Sequence, residues 1–300
     1  VLRVPPDTYG DVETIELATG TRRRVTEVNR PYFESHPPAR LERFTTSREG
    51  VEIDCRLWLP PDFNASRSYP MVLDIHGGPN NSFYDSFHPP QQVLAAAGYI
   101  VLAPNPRGSS TYGLDFVRAI QRDWGNVDYL DLMAVVDEAS ARPYVDGSRL
   151  GVIGYSYGGY MASWIVGHDN RFKAAIVGAP TTNQYSDYGT SDSGVRFGDI
   201  HFGELFDGNA KEFRRRSPLT YVANVETPVL LLHGEEDVRC PIEQSEQYFV
   251  ALKRLGKEVE YVRFPGCSHS FYRSGHPRMR EEYYARVLEQ FMSMLKPGKH

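Results

Sequence analysis

The sequence predicts an α/β domain with a mostly parallel, doubly wound sheet, and three observations carry that expectation. Short apolar runs closed by Gly, Pro or Asn recur through the middle of the chain. Helical patterns, with apolar residues three and four apart, lie between them. Strand and helix then alternate from residue 71 to the C-terminus, the order that a sheet covered on both faces requires.

Residues 71–75, 99–103, 150–154, 174–177 and 229–232 are too short for helices and read as strands buried on both faces. Residues 259–264 alternate and suit a strand nearer an edge. Residues 51–59 also alternate and suit an antiparallel strand at the start of the sheet. Helical periodicity covers 91–97, 129–141, 157–166, 242–255 and 280–295. The beginning of the chain differs. Residues 11–20 and 21–25 read as two strands joined by a glycine turn. Arg30-Pro31 and His36-Pro37-Pro38 are expected to break any regular element. A lone hairpin is barely stable, so this segment must pack on something. Residues 1–45 are therefore expected as an N-terminal β segment and linker, and residues 46–300 as the main domain.

With 300 residues, 41% of them hydrophobic, the chain can bury a core without disulfides or metal. A net charge of -5 points away from nucleic acid and from anionic membranes as partners. The basic clusters Arg22-Arg23-Arg24 and Arg214-Arg215-Arg216 read as solvated faces. Three cysteines without close spacing, Cys55, Cys240 and Cys267, argue against a disulfide framework and a zinc site. A reducing, cytoplasmic compartment is the expectation, though the fold could still bring Cys240 and Cys267 together. No run approaches the roughly 18 apolar residues of a membrane span. Association into a homo-oligomer stays open.

One motif stands in the setting its chemistry needs. Gly154-Tyr155-Ser156-Tyr157-Gly158 follows the buried run 150–154 and precedes a helical run from Tyr157. The pattern is weak by itself. Strand, sharp turn and helix together make it the nucleophile elbow of an α/β-hydrolase fold, with Ser156 as nucleophile. A serine hydroxyl needs a base, and in this fold the chain order is Ser, then Asp or Glu, then His. Glu235, Glu236 and Asp237 follow the run 229–232, and His269 follows 259–264, both at the carboxyl ends of strands where open sheets bind ligands. His269 is expected as base and then acid, with one of the three carboxylates fixing its tautomer. Among the other histidines, His36 and His300 lie in irregular or terminal segments, and His168 lies a helix length from Ser156. His201 and His276 fall in polar stretches and are expected exposed, and His233 and His76 are expected to be packed and structural. An oxyanion needs preorganised donors. The N–H of Tyr157 is one, and the loop His76-Gly77-Gly78-Pro79 supplies the second, from Gly78 with Gly77 as the fallback.

The motifs taken together resemble one family. They are His-Gly-Gly-Pro (76–79), Asn-Pro-Arg-Gly-Ser (105–109), Gly-Tyr-Ser-Tyr-Gly-Gly (154–159), Ser-Pro-Leu-Thr-Tyr-Val (217–222), His-Gly-Glu-Glu-Asp (233–237) and Ser-His (268–269). Their order and spacing, from about residue 45 onward, resemble the catalytic domain of the prolyl oligopeptidase family of serine peptidases, in its acylaminoacyl-peptidase and dipeptidyl-aminopeptidase-like branch. The resemblance implies a triad of Ser156, Asp237 and His269, which settles the acid as Asp237, with oxyanion donors at Gly78 and Tyr157. It implies hydrolysis of short or N-blocked peptides through an acyl-enzyme, without metal or cofactor. Members usually carry a β-propeller before this domain, and residues 11–25 are similar to its closing strands. The chain is thus expected to be the C-terminal part of a longer protein whose propeller is a further domain or chain.

Two details qualify the match. Ser270 stands where many relatives have glycine. Arg239 stands where relatives often turn a polar group to the substrate, although a structural ion pair is the stronger expectation for it. The stretch 180–206 should shape the specificity pocket, and its aromatics Tyr185, Tyr188, Phe197, Phe202 and Phe206 suggest an apolar one, ordinary packing being the alternative. Two other functions compete: an esterase or amidase with the same triad, and a silent binding module, which should have lost a triad member.

Overall fold

In the computed structural model, which describes residues 1–295, the apolar runs assemble into one twisted sheet. Three short strands precede it: β1 (Leu2–Arg3), β2 (Asp11–Ile15) and β3 (Arg22–Arg24), which form an antiparallel sheet of their own. Helix α1 (Arg30–Ser35) follows, so Arg30-Pro31 starts an element where a break was expected. Proline is tolerated there because an amide in the first turn has no intrahelical acceptor to lose.

The main sheet contains β4 (Arg40–Arg48), β5 (Val51–Leu59), β6 (Tyr69–Ile75), β7 (Ile100–Pro104), β8 (Val145–Tyr155), β9 (Phe172–Gly178), β10 (Val229–Gly234) and β11 (Val259–Phe264). Their spatial order is β11-β10-β9-β8-β6-β7-β5-β4. The pairs β4–β5 and β5–β7 are antiparallel, and the rest are parallel. The doubly wound expectation therefore holds, with β11 at one edge. The other edge was not anticipated. Strand β4 carries Arg40, Glu42, Arg43 and Arg48, and its charges hide its strand pattern. Charged residues are what an edge strand uses to avoid pairing with another chain. The boundary expected at residues 45/46 falls inside β4, so the main sheet begins at Arg40.

Among the described residues the α-helices after α1 are α2 (Pro89–Ala96), α3 (Leu114–Arg118), α4 (Val127–Ser140), α5 (Tyr157–Val166), α6 (Gln184–Thr190), α7 (Gly194–His201), α8 (Ala210–Arg215), α9 (Glu243–Arg254), α10 (Phe271–Ser274) and α11 (Pro277–Leu295), with further helical turns at Leu205–Asn209 and Pro218–Asn224. Alternate residues of each strand feed two cores. Met71, Leu73 and Ile75 of β6 join Leu150 and Val152 of β8 on the face covered by α4, α5 and α9. Val72 and Ile153 join Tyr283, Val287, Phe291 and Leu295 of α11, with Leu94 and Ala95 of α2, on the other. Gly151 permits this second packing, because a Cβ there would stand 2.7 Å from the Phe291 ring.

The sheet places the site. From β6 the chain turns to β7 on one side, then crosses back to β8 on the other, so loops diverge at the carboxyl ends of β6 and β8. All three cysteines are free among the described residues, and Cys240 and Cys267 are not bridged. No helix of the described residues is long and apolar enough to cross a membrane. Because Phe291 is fully buried over Gly151, Phe291→Ala should lower the unfolding free energy by about 3–5 kcal/mol. A urea midpoint shift at unchanged slope would show it. A loss below about 1 kcal/mol would contradict the close fit of α11 on β8.

Candidate active site

Ser156 sits between the last residue of β8 and the first of α5, with φ 63° and ψ -123°, a strained backbone for a residue with a side chain. Its neighbours explain how that turn closes. A Cβ on Gly154 would collide with the Gly158 carbonyl, and one on Gly158 with the Ile75 carbonyl. The two motif glycines are thus the points where α5, β8 and β6 come into backbone contact. The Ser156 N–H donates to Gly178 O at 2.9 Å, which ties the turn to β9.

The chain order expected for the polar groups is the spatial order found. Ser156 Oγ lies 3.0 Å from His269 Nε2, and His269 Nδ1 lies 2.6 Å from Asp237 Oδ2. Asp237 is buried, and its Oδ1 accepts the N–H groups of Arg239 and Cys240, each at 2.9 Å. Burial alone would raise its pKa. Hydrogen bonds from His233 and His269, the His269 charge and the Cys240 amide outweigh burial and hold the carboxyl well below the usual range. His233 is packed, as expected: it donates from Nε2 to Cys240 O at 2.8 Å while Nδ1 lies 2.7 Å from Ser245 Oγ. Glu235 and Glu236, the alternative acids, do not reach His269; Glu235 pairs with Arg263 instead. The arrangement can pass a proton from a hydroxyl to an imidazole whose orientation a fixed anion sets.

The loop after β6 comes up beside Ser156. A Cβ on Gly77 would lie 3.4 Å from that of Ser156, and Gly78, at φ 130°, lines the same cavity as Ser156, Tyr157 and His269. Tyr157 opens α5, where the first amides have no intrahelical acceptor. Its ring is anchored, since Tyr157 Oη donates to buried Asp128 Oδ2 at 2.6 Å. The segment 105–109, one of the motifs behind the family resemblance, braces this loop. Asn80 Nδ2 donates to Gly108 O at 2.8 Å, Asn105 exchanges hydrogen bonds with the Phe83 backbone, and Ser109 Oγ lies 2.9 Å from His76 Nε2. Arg107 fixes that segment in turn by gripping buried Asp131 through Nε and Nη2.

Beside Ser156 opens a cavity of about 590 Å³. Phe197 lines it, as anticipated, but Tyr185 and Tyr188 do not. Tyr185 stacks under the Arg214 guanidinium, and Tyr188 packs on Phe213 and donates to Asp199. Phe202 is buried in the core and Phe206 is exposed. Arg239 lines the cavity and is paired with Asp192 at 2.6 Å, the structural ion pair that was expected. The principal aromatic of the wall, Trp124, was missed. It packs against Tyr157, Phe197 and His201 and donates from Nε1 to His201 Nδ1 at 3.1 Å. His201 is accordingly buried, not exposed as its polar neighbours suggested, and burial pushes its pKa down to about 4. Arg216 corrects a second surface expectation: it is buried and donates to Trp124 O at 2.7 Å and Asp123 at 2.9 Å. His276 is exposed, and His300 lies outside the described residues.

His76 gives a test of the loop's internal bonding. Burial, against a raising hydrogen bond to Gly77 O, pushes its pKa down to about 4 from 6.5. Between those values the unfolded chain takes up a proton that the folded one refuses, so this contribution to stability is lost as pH falls from about 6.5 to 4. Wild type should therefore lose up to about 3 kcal/mol more than His76→Gln across that window in urea unfolding. Equal losses would mean that His76 is not held neutral.

Comparison with known proteins follows the same lines. Residues 85–297 match the prolyl oligopeptidase family, Peptidase S9. An uncharacterized peptidase, YuxL, of Bacillus subtilis is 45% identical over 277 residues, 92% of this chain and 42% of that protein. Dipeptidyl-peptidase 5 of Porphyromonas gingivalis is 33% identical over 267 residues, 86% of this chain and 39% of that protein. Among solved structures, the acylaminoacyl peptidase of Pyrococcus horikoshii matches 100% of this chain and 48% of its own, with TM-score 0.93 at 30% identity. The chain thus spans about two fifths of the length of the curated relatives it matches. A family match over most of the chain, on a shared fold, makes this chain a member of the prolyl oligopeptidase family.

Proposed function

We propose that the chain carries the catalytic machinery of a serine peptidase that hydrolyses short or N-blocked peptides. The observation that carries this reading is the unbroken relay Ser156 Oγ–His269 Nε2–His269 Nδ1–Asp237 Oδ2, at 3.0 and 2.6 Å. Ser156 Oγ attacks the peptide carbonyl carbon while its proton passes to His269 Nε2. The carbonyl oxygen, now an anion, accepts hydrogen bonds from the N–H groups of Gly78 and Tyr157. Collapse breaks the C–N bond, and His269 returns the proton to the leaving amine. Water repeats the sequence on the acyl-enzyme and frees Ser156. Asp237 stays ionised throughout, because it holds His269 from a buried site already satisfied by two amides.

Peptides are favoured over other acyl compounds because the relatives at 45% and 33% identity carry peptidase names. The cavity of about 590 Å³ beside Ser156, with Phe197 and Trp124 in its wall, has room for a large side chain. A β-propeller, as a domain or a separate chain, is the partner this reading adds from the family resemblance. No step in it calls for a metal or cofactor.

Fluorogenic amides with free, acetylated and longer N-termini, run beside short-chain aryl esters, test the reading. Ser156→Ala should lower kcat by about 10⁴-fold or more with an unchanged circular dichroism spectrum, and Asp237→Asn by about 10³–10⁴-fold. Activity retained by Ser156→Ala, or turnover of esters without any amide, would overturn it.

A further inference from the structure

One carboxylate oxygen among the residues that line the cavity has no hydrogen-bond partner among the described residues. Asp187, on α6, lines the same cavity as Ser156 and His269 and is 8% exposed. Its Oδ1 is closed off from solvent and makes no hydrogen bond among the described residues. Buried polar atoms are almost always satisfied, and an unpaired buried acid is costly. The neighbouring acids are satisfied. Asp237 holds His269, Asp192 holds Arg239, and Glu243 accepts from Gln244 and Thr190. We propose that Asp187 is the specificity-determining anion of this cavity, and that the preferred peptide carries lysine or arginine on the residue supplying the scissile carbonyl.

The proposal rests on the peptidase reading and adds the substrate class. Three features point to a cation as the missing partner. The charges acting on Asp187 come from Glu243, Asp237 and Asp192, all of one sign. Burial first, and then those charges, push its pKa up to about 7, so an entering cation would relieve both effects. The position fits as well. Asp187 lines the cavity together with Ser156 and with Cys240, whose Sγ lies 3.9 Å from Ser156 Oγ. The walls fit a long stem with a charged end, since Trp124 and Phe197 can cover methylenes and face a cation. Arg239, in the same cavity, is already engaged by Asp192, and Arg196 is exposed.

A substrate can bring a positive charge on its side chain or on a free N-terminus, and the test separates these. Fluorogenic peptidyl amides with Lys, Arg, Met or Glu before the cut, each with a free or acetylated N-terminus, are compared at pH 8. Lys and Arg should exceed Met in kcat/KM by about 10–100-fold, chiefly through KM, whether or not the N-terminus is blocked. Asp187→Asn should bring the Lys-to-Met ratio to about one. Met equal to Lys in the wild type would overturn the proposal without touching the peptidase reading. A preference that follows the free N-terminus and ignores the side chain would overturn it too. Failure of every amide in a folded protein would remove the peptidase reading and this proposal together.

Discussion

A buried carboxylate held ionised by its surroundings organises the whole site. Asp237 gives up water and receives two backbone amides on one oxygen and His269 on the other. Burial raises the cost of its charge, and this set of donors offsets it. Removing any of them would leave a partly unsatisfied anion in a low-dielectric site, where that is most costly. The loop after β10 is therefore fixed by its electrostatics as much as by its packing. His233 clamps the same turn through Cys240 O, and Ser191 and Asp192 tie it to the loop after α6 through Arg239 O and Val238 O. Orientation of His269, and hence its reach to Ser156, follows from that rigidity.

The second constraint is steric. Three carboxyl-terminal strand ends meet at Ser156 with so little room that Gly154 and Gly158 cannot carry a Cβ. The positive φ of Ser156 is the consequence, and it lifts the hydroxyl out of the sheet toward His269. The loop after β6 depends on a different support. Its bonds run to residues 105–109, which Arg107 locks onto Asp131, so a charge pair inside the domain underwrites the placement of the Gly78 amide.

How much of this the sequence reveals depends on how local the cause is. Ser156, Asp237 and His269 each follow a strand, and the parallel sheet gathers the carboxyl ends of its strands, so Ser156 and His269 were legible from order, while the choice of Asp237 over Glu235 and Glu236 came from the family resemblance. The buried strands were legible from their short apolar runs: β7 is apolar throughout, and β6 and β10 are interrupted only near their ends, by Asp74 and His233. Strand β4 was not, because an edge strand is selected for charge and its register with β5 is a tertiary fact. The cavity was the least legible part. Trp124, His201 and Arg216 come from separate loops and helices, and their burial arises from one another. Tyr185 and Tyr188 carried the expected aromatic signal, yet α6 turns them toward Arg214 and Phe213 and presents Asp187 to the cavity. Composition of a stretch does not say which side of a short helix faces the ligand.

Membership in the prolyl oligopeptidase family and the geometry of Ser156 converge on one claim, that this serine is activated by His269. Mass spectrometry after treatment with a fluorophosphonate measures that activation with no assumption about substrate. The account predicts a single adduct on the peptide containing Ser156, lost in His269→Ala while the fold is retained. An adduct on another serine, or equal labelling of Ser156 without His269, would contradict it.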